Sequence, residues 1–310
     1  VRTAAKVGIA AGATLAGLSL FSTVLARRSE KLVPPDGRLV NVDGHPIHLI
    51  DRGEGPAIVM VHGLGGQMRN FNYGVVDALA ERHRVVVIDR PGSGYSPPIV
   101  EGDAGISRQA ALVAALIETL GLDQPMLVGH SYGGAVSMAL ALNDPGLVRG
   151  LALIAPLTQP IPALPAAIAA ITHAPFPARL AFAAAVGSPF SQLNRNRVLA
   201  QVFAPEPVAP DFKTRGGGAL SRRPGAIAAV AGDIANARTE LTELAGRYRT
   251  LALPVSILFA RGDKLLDPAE HGEKTAASIT NGRCELVEGG HMLPVTQPEL
   301  VTRFIAAAAG

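Results

Sequence analysis

The chain has 310 residues, 48% of them hydrophobic and 17% charged, which supplies enough apolar sequence for one large core or two small ones and excludes intrinsic disorder. Its net charge of +3 comes without any dense Lys/Arg block interleaved with aromatics, so nothing marks a nucleic-acid-binding surface. The single cysteine, Cys284, excludes an intrachain disulfide and a cysteine-cluster metal site, and its place in the strand-like run "RCELVEG" reads as a packed thiol rather than a nucleophile.

Residues 7–26, "VGIAAGATLAGLSLFSTVLA", carry no charge and as a helix would span about 30 Å, one hydrocarbon core. Arg2 and Lys6 precede the run, and Arg27, Arg28 and Lys31 follow it. Residues 1–31 are therefore expected to form an N-terminal transmembrane anchor that holds the chain at a membrane as a single-pass protein. A cleaved signal peptide, with export, is the alternative, because Val24 and Ala26 are spaced like a cleavage site. Basic residues at both ends leave the orientation open. Residues 29–38 read as a linker.

Strands and helices then alternate. "RLVNV" and "PIHLID", separated by Asp43-Gly44, predict an antiparallel hairpin. "AIVMVHG" and "RVVVIDRPG" are continuous apolar runs, as in strands buried on both faces, with the helical spacing of "FNYGVVDALAE" between them. "ISRQAALVAALIETLG" predicts a helix capped by Ser107 and ended at Gly121. "PMLVG", a long helical segment from Tyr132, and "GLALIAP" continue the order, and "PVSILFARGD", a helix near 269–279, "CELVEGG" and a terminal helix near 297–308 resume it after a gap. This is an α/β pattern with a mostly parallel sheet flanked by helices and an antiparallel start. The gap, residues 157–235, is rich in proline between short Ala-rich segments and reads as an inserted helical cap, with Arg215-Gly216-Gly217-Gly218 as a flexible joint. The core then consists of 32–156 and 236–310.

Gly129-His130-Ser131-Tyr132-Gly133 places a serine between a strand and a helix with glycines two residues to either side, the G-x-S-x-G elbow. A chain that reverses so sharply needs glycine where strand and helix approach, and the turn thrusts the serine hydroxyl above the sheet's C-terminal edge. A serine hydroxyl needs a base, and the base needs an acid to orient it. Among eight histidines, His291 is best placed, in a Gly289-Gly290 loop at a strand end. His130 sits beside the serine but should point elsewhere, His45 and His48 belong to the first hairpin, His83 precedes a strand at the wrong end, and His173 and His271 look exposed, so each of these five reads as a solvated or packed histidine. For the acid, Asp263 directly follows a strand, whereas its rival Asp267 precedes a proline as a helix cap would. Two backbone N–H groups should face the developing oxyanion, one from Tyr132 and one from Leu64 in the loop His62-Gly63-Leu64-Gly65-Gly66, with His62 bracing that loop.

From about residue 39 to the C-terminus the chain resembles the α/β-hydrolase fold family, in its capped form. The resemblance rests on "HGLGG" at 62–66, "DRPGSGYS" at 89–96, "GHSYGG" at 129–134, "GDKLLDP" at 262–268 and "GGHMLP" at 289–294, in this order. It implies a serine hydrolase that forms an acyl-enzyme with Ser131, His291 and Asp263, without cofactor or metal; the apolar residues of the segment 157–235, among them Ile161, Leu164 and Ile168, add the expectation of a small or medium apolar ester substrate. Relatives with an aspartate nucleophile are set aside by Ser131. Carbon–carbon bond hydrolysis, acyl transfer and a catalytically silent binding protein remain alternatives, and the fold does not choose among them. Oligomeric state is not legible in the sequence.

Overall fold

The structure, a computed structural model, describes the backbone of residues 2–102 and 104–310 and the side chains from residue 12 onward. The expected alternation is present. Strands β1 (Arg38–Val42), β2 (His45–Arg52), β3 (Ala57–Val61), β4 (Arg84–Ile88), β5 (Met126–His130), β6 (Gly150–Ile154), β7 (Val255–Ala260) and β8 (Gly282–Val287) form one eight-stranded sheet in the order β1-β2-β4-β3-β5-β6-β7-β8. Only the β1–β2 and β2–β4 pairings are antiparallel.

Because neighbouring side chains of a strand point to opposite faces, each buried strand feeds two cores. On one face Val59, Val61, Leu127, Leu151, Leu153 and Ile257 pack under α3 (Ile106–Thr119), α4 (Tyr132–Asn143) and α9 (Ala237–Arg247). On the other, Ile58, Met60, Val87, Val128, Ile154 and Leu258 pack against α2 (Val75–Ala80), α11 (Leu293–Thr296) and α12 (Pro298–Ala309). The continuous apolar runs of the sequence follow from this two-sided burial. Helix α3 is not capped by Ser107. The Glu240 carboxylate, from α9, accepts the N–H groups of Ile106 and Ser107, so a long-range anion does the work expected of a local hydroxyl.

Between β6 and β7 lie α5 (Ala166–Thr172), α6 (Phe176–Phe182), a π turn at Ala183–Gly187, α7 (Ser188–Phe203) and α8 (Pro224–Ala235), which precede α9; α10 (Lys274–Ala277) lies between β7 and β8. The glycines at 216–218 are not a flexible joint. A Cβ on Gly218 would meet the Phe212 ring at 2.8 Å, and the Gly216 carbonyl accepts hydrogen bonds from the Gln67 and Asn70 side chains, so this turn is wedged onto the loop after β3.

The described residues do not support the expected transmembrane helix. One helix, α1 (Arg2–Leu32), runs through both the proposed anchor at 7–26 and the first part of the proposed linker. Residues 7–11 of that span lie outside the described side chains. Among the described residues no helix is long and apolar enough to cross a membrane. From Gly12 onward the helix is diluted by Gly17, Thr14, Thr23, Ser19 and Ser22, and Arg27, Arg28, Glu30 and Lys31 follow within its last turns. Its inner side is occupied by protein. Ser22 is fully buried and its hydroxyl donates to the Ala184 carbonyl at 2.7 Å, and Glu30 pairs with Arg223 at 3.1 Å.

Candidate active site

Ser131 stands between the last residue of β5 and the first of α4 with φ 54° and ψ −120°, a left-handed backbone that costs an L-residue energy and is held by its surroundings. Space at this elbow is accounted for atom by atom. A Cβ on Gly129 would meet the Gly133 carbonyl oxygen at 2.6 Å, one on Gly133 the His62 oxygen at 2.7 Å, and one on Gly134 the Pro156 side chain at 2.5 Å. The glycine two residues before the serine lets the strand pass the helix, and the glycine two residues after it lets the helix pass β3. Gly63 is just as close, since its added Cβ would lie 2.9 Å from the Cβ of Ser131, which brings the loop after β3 beside the serine.

The sequence-predicted residues converge. Asp263 follows β7, His291 lies in the loop after β8, and the His291 Nδ1–H donates to Asp263 Oδ2 at 2.7 Å. Asp263 Oδ1 accepts the N–H groups of Leu265 and Leu266. Burial alone would raise the Asp263 carboxyl, but the hydrogen bond and charge of His291 and these two N–H groups outweigh it and hold the group below its ordinary value. With Nδ1 committed as a donor, the other ring nitrogen of His291 carries the lone pair. Asp267, the rival acid, caps the following turn by accepting the Ala269 N–H, and it is exposed.

His291 and Ser131 line one cavity of about 510 Å³. Leu64 and Tyr132 line it as well, the former in the loop after β3 and the latter opening α4. Its other walls are apolar, among them Leu157, Ile161, Val198, Val202, Phe212 and Ile234, with Gln67, Asn70, Ser191 and Ser221 as neutral polar groups. No Lys, Arg, Asp or Glu is among the described residues that line it.

Several supporting residues were misplaced or missed in the sequence. His130 does not point away from the site; its Nε2–H donates to the main-chain carbonyl of His291 at 3.0 Å and so braces the loop that carries it. Burial, followed by the facing His291, pushes the His130 pKa down to about 3, and the ring is neutral. His271 is buried rather than solvated, with Nδ1 accepting the N–H groups of Thr158 and Gln159. His62 does brace its loop. It donates from Nδ1 to the Gly63 carbonyl at 2.8 Å and accepts the Arg90 N–H at Nε2, and burial and the nearby Arg90 hold its pKa well below the ordinary value. A second buried pair, His48 Nδ1 with Asp89 Oδ2 at 2.7 Å, lies away from the cavity. Among the described residues no group of His, Cys, Asp and Glu could hold a metal ion.

The geometry agrees with what comparison with known proteins finds. The sequence pattern of the α/β hydrolase fold matches residues 56–298. The chain belongs to the α/β hydrolase fold family. Over 121 residues, 39% of this chain, it is 34% identical to a dihydrolipoyllysine-residue acetyltransferase component of the acetoin cleaving system of Cupriavidus necator. Over 120 residues, 38% of this chain, it is 37% identical to a 2-hydroxy-6-oxo-2,4-heptadienoate hydrolase of Pseudomonas putida. The matched parts span 32% and 44% of those two proteins, so the likeness is to part of each. Among solved structures, an α/β hydrolase fold protein from Burkholderia ambifaria superposes with a TM-score of 0.72 at 25% identity, over 87% of this chain and 97% of that one.

Proposed function

We propose that this α/β hydrolase cleaves uncharged carboxylic esters with an apolar acyl or alkyl group of small to medium size, through an acyl-enzyme on Ser131. The observation that carries the reading is the cavity, which presents Ser131 and His291 together and otherwise offers apolar walls without a formal charge. Burial of a hydrocarbon chain against such walls contributes about 0.8 kcal/mol per methylene, whereas a carboxylate left there without a cation would be strongly disfavoured. The same feature argues against the carbon–carbon alternative for substrates such as the dienoate in the Pseudomonas putida relative's name, because a dienoate is an anion.

In the proposed reaction, Ser131 Oγ attacks the ester carbonyl and His291 takes the hydroxyl proton on the nitrogen not held by Asp263. The carbonyl π pair becomes an oxyanion facing the N–H groups of Leu64 and Tyr132. The oxyanion collapses, the C–O bond to the alcohol breaks, and the proton passes from His291 to the leaving alkoxide. Water then attacks the acyl-enzyme with His291 again as base, the Ser131 ester bond breaks, and the carboxylic acid departs. Asp263, ionised by its hydrogen bonds, holds the tautomer of His291 and stabilises the imidazolium.

The test is a series of nitrophenyl esters on the full chain together with a fluorophosphonate probe. The probe should label wild type and not Ser131→Ala, and kcat/KM should rise from acetyl to medium chains. A preference for acetyl or for charged acyl groups would remove the apolar-substrate reading, and unaltered labelling of Ser131→Ala would remove the nucleophile. Added alcohol distinguishes transfer from hydrolysis, since a transferase would form mostly new ester.

A further inference from the structure

Arg90 is 1% exposed, an uncommon place for a guanidinium, and nothing in the acyl-transfer scheme uses it. It follows β4 by two residues and its donors converge on the loop after β3. The Nε–H donates to the His62 carbonyl at 3.0 Å, one Nη2–H to the Gly63 carbonyl at 3.0 Å, and the main-chain N–H to His62 Nε2 at 2.9 Å. The other terminal nitrogen binds Gln109 Oε1 at 2.7 Å and Asp233 Oδ2 at 2.9 Å. Asp233, itself 1% exposed, belongs to α8 of the cap, and Gln109 donates to its second oxygen at 2.8 Å. The guanidinium also lies 4.7 Å from the centre of the Tyr132 ring, whose hydroxyl donates to the Asp233 carbonyl at 2.8 Å.

These contacts fix one peptide group. In a planar trans peptide the carbonyl and the following N–H point in opposite directions. The Gly63 carbonyl is turned toward Arg90 and is further held by His62 Nδ1–H and by the Gly66 N–H at 3.2 Å. The N–H of the same peptide, that of Leu64, therefore points away from the buried arginine. Gly63 leaves its own ψ free to rotate, so of the two torsions a reversed peptide needs only the φ of Leu64 would be strained, and the reversed peptide would present a carbonyl oxygen to a developing negative charge. We infer that Arg90 is a positioning residue that selects the oxyanion-binding orientation of the Gly63–Leu64 peptide, and that Asp233 carries this control to the cap. The inference rests on the ester-hydrolase reading above.

It is tested on the full chain with Arg90→Lys, which keeps a cation beside Asp233 but cannot span both carbonyls. The probe is an alkyl trifluoromethyl ketone, which adds to Ser131 Oγ as the hydroxyl proton moves to His291 and the ketone oxygen becomes an oxyanion. Loss of one oxyanion donor costs about 10²- to 10³-fold in kcat. In Arg90→Lys, kcat should fall by about that factor, KM should stay within about threefold, and ketone affinity should fall in proportion to kcat, whereas the affinity of an uncharged product alcohol should not move. A folded variant whose kcat and ketone affinity stay within about threefold of wild type overturns the inference, and so does a fall in kcat with unchanged ketone affinity. If Arg90→Lys does not fold, Asp233→Asn decides by the same ratio, with a smaller loss of about tenfold expected and an unchanged ratio overturning the inference. Failure of the hydrolase reading looks different, because wild type itself would then neither turn over esters nor bind the ketone.

Discussion

His48–Asp89 and His291–Asp263 are near copies of one another. Each is an Nδ1–Oδ2 hydrogen bond of 2.7 Å, and no side chain of either pair is more than 5% exposed. Their surroundings separate them. Asp89 accepts the N–H groups of Met68 and Tyr95, so this pair ties the end of β4 to the loops on either side, and the far nitrogen of His48 is buried without a hydrogen-bond partner among the described residues. The Asp263 pair has a ring that reaches a cavity and a serine on that same cavity. On the proposed function the first pair is a structural fastener and the second serves chemistry, because only the second opens on a cavity that also presents a serine. Distance and burial alone would not have told these two apart.

That contrast is open to attack by mutation. Asp263→Asn should lower kcat by about 10⁴-fold, because the amide favours the wrong imidazole tautomer, while circular dichroism stays that of the wild type. Asp267→Asn in parallel should lose at most a cap, about 1 kcal/mol of stability, and a reversed ranking of the two kcat values would exchange their roles. His48→Phe removes the donor of the other pair in a similar shape. It should cost about 2 kcal/mol, visible as a Tm lower by several degrees, with kcat within about threefold. Loss of turnover in a folded His48→Phe protein would break the distinction between fastener and machinery.

The smallest effect is one of pH. His130 has a folded pKa of about 3, below the value of about 6.5 for an unfolded histidine. The unfolded chain thus binds more protons between these limits, and the stability that the neutral ring contributes is present above about pH 6.5 and is lost as pH falls toward 3. Urea midpoints should decline over that window, and His130→Asn should flatten the decline. An unchanged slope in the variant would assign the acid sensitivity to other groups, such as the neutral buried His62.

The parts of the site that were legible in the sequence are those written in backbone terms. Glycines at 129 and 133 announce the elbow because their Cβ atoms have no space, and Asp263 and His291 sit at strand ends that hydrophobic runs already marked. What was not legible is built from side chains far apart in the chain. Arg90 meets Asp233 across 143 residues and Glu240 caps α3 across 134, and no local period or spacing encodes either contact. The N-terminal helix is a different case. Its uncharged run reads as an apolar span, whereas the contacts of its described later turns, Ser22 with Ala184 and Glu30 with Arg223, lie far away in the sequence and leave no local signal. The run of glycines at 216–218 misled for a similar reason, since glycine permits close packing as readily as mobility.

The fastening of α1 has a practical side. Helix α1 is tied to the segment between β6 and β7, through Ala184 and Arg223, whereas α12 packs on the sheet through Val301 and Ile305. A surface on which the enzyme is immobilised would pull on quite different structures depending on the end it holds. Attachment ahead of α1 would load the segment between β6 and β7, which supplies cavity walls such as Val198, Val202 and Phe212, and attachment at Gly310 would load the sheet.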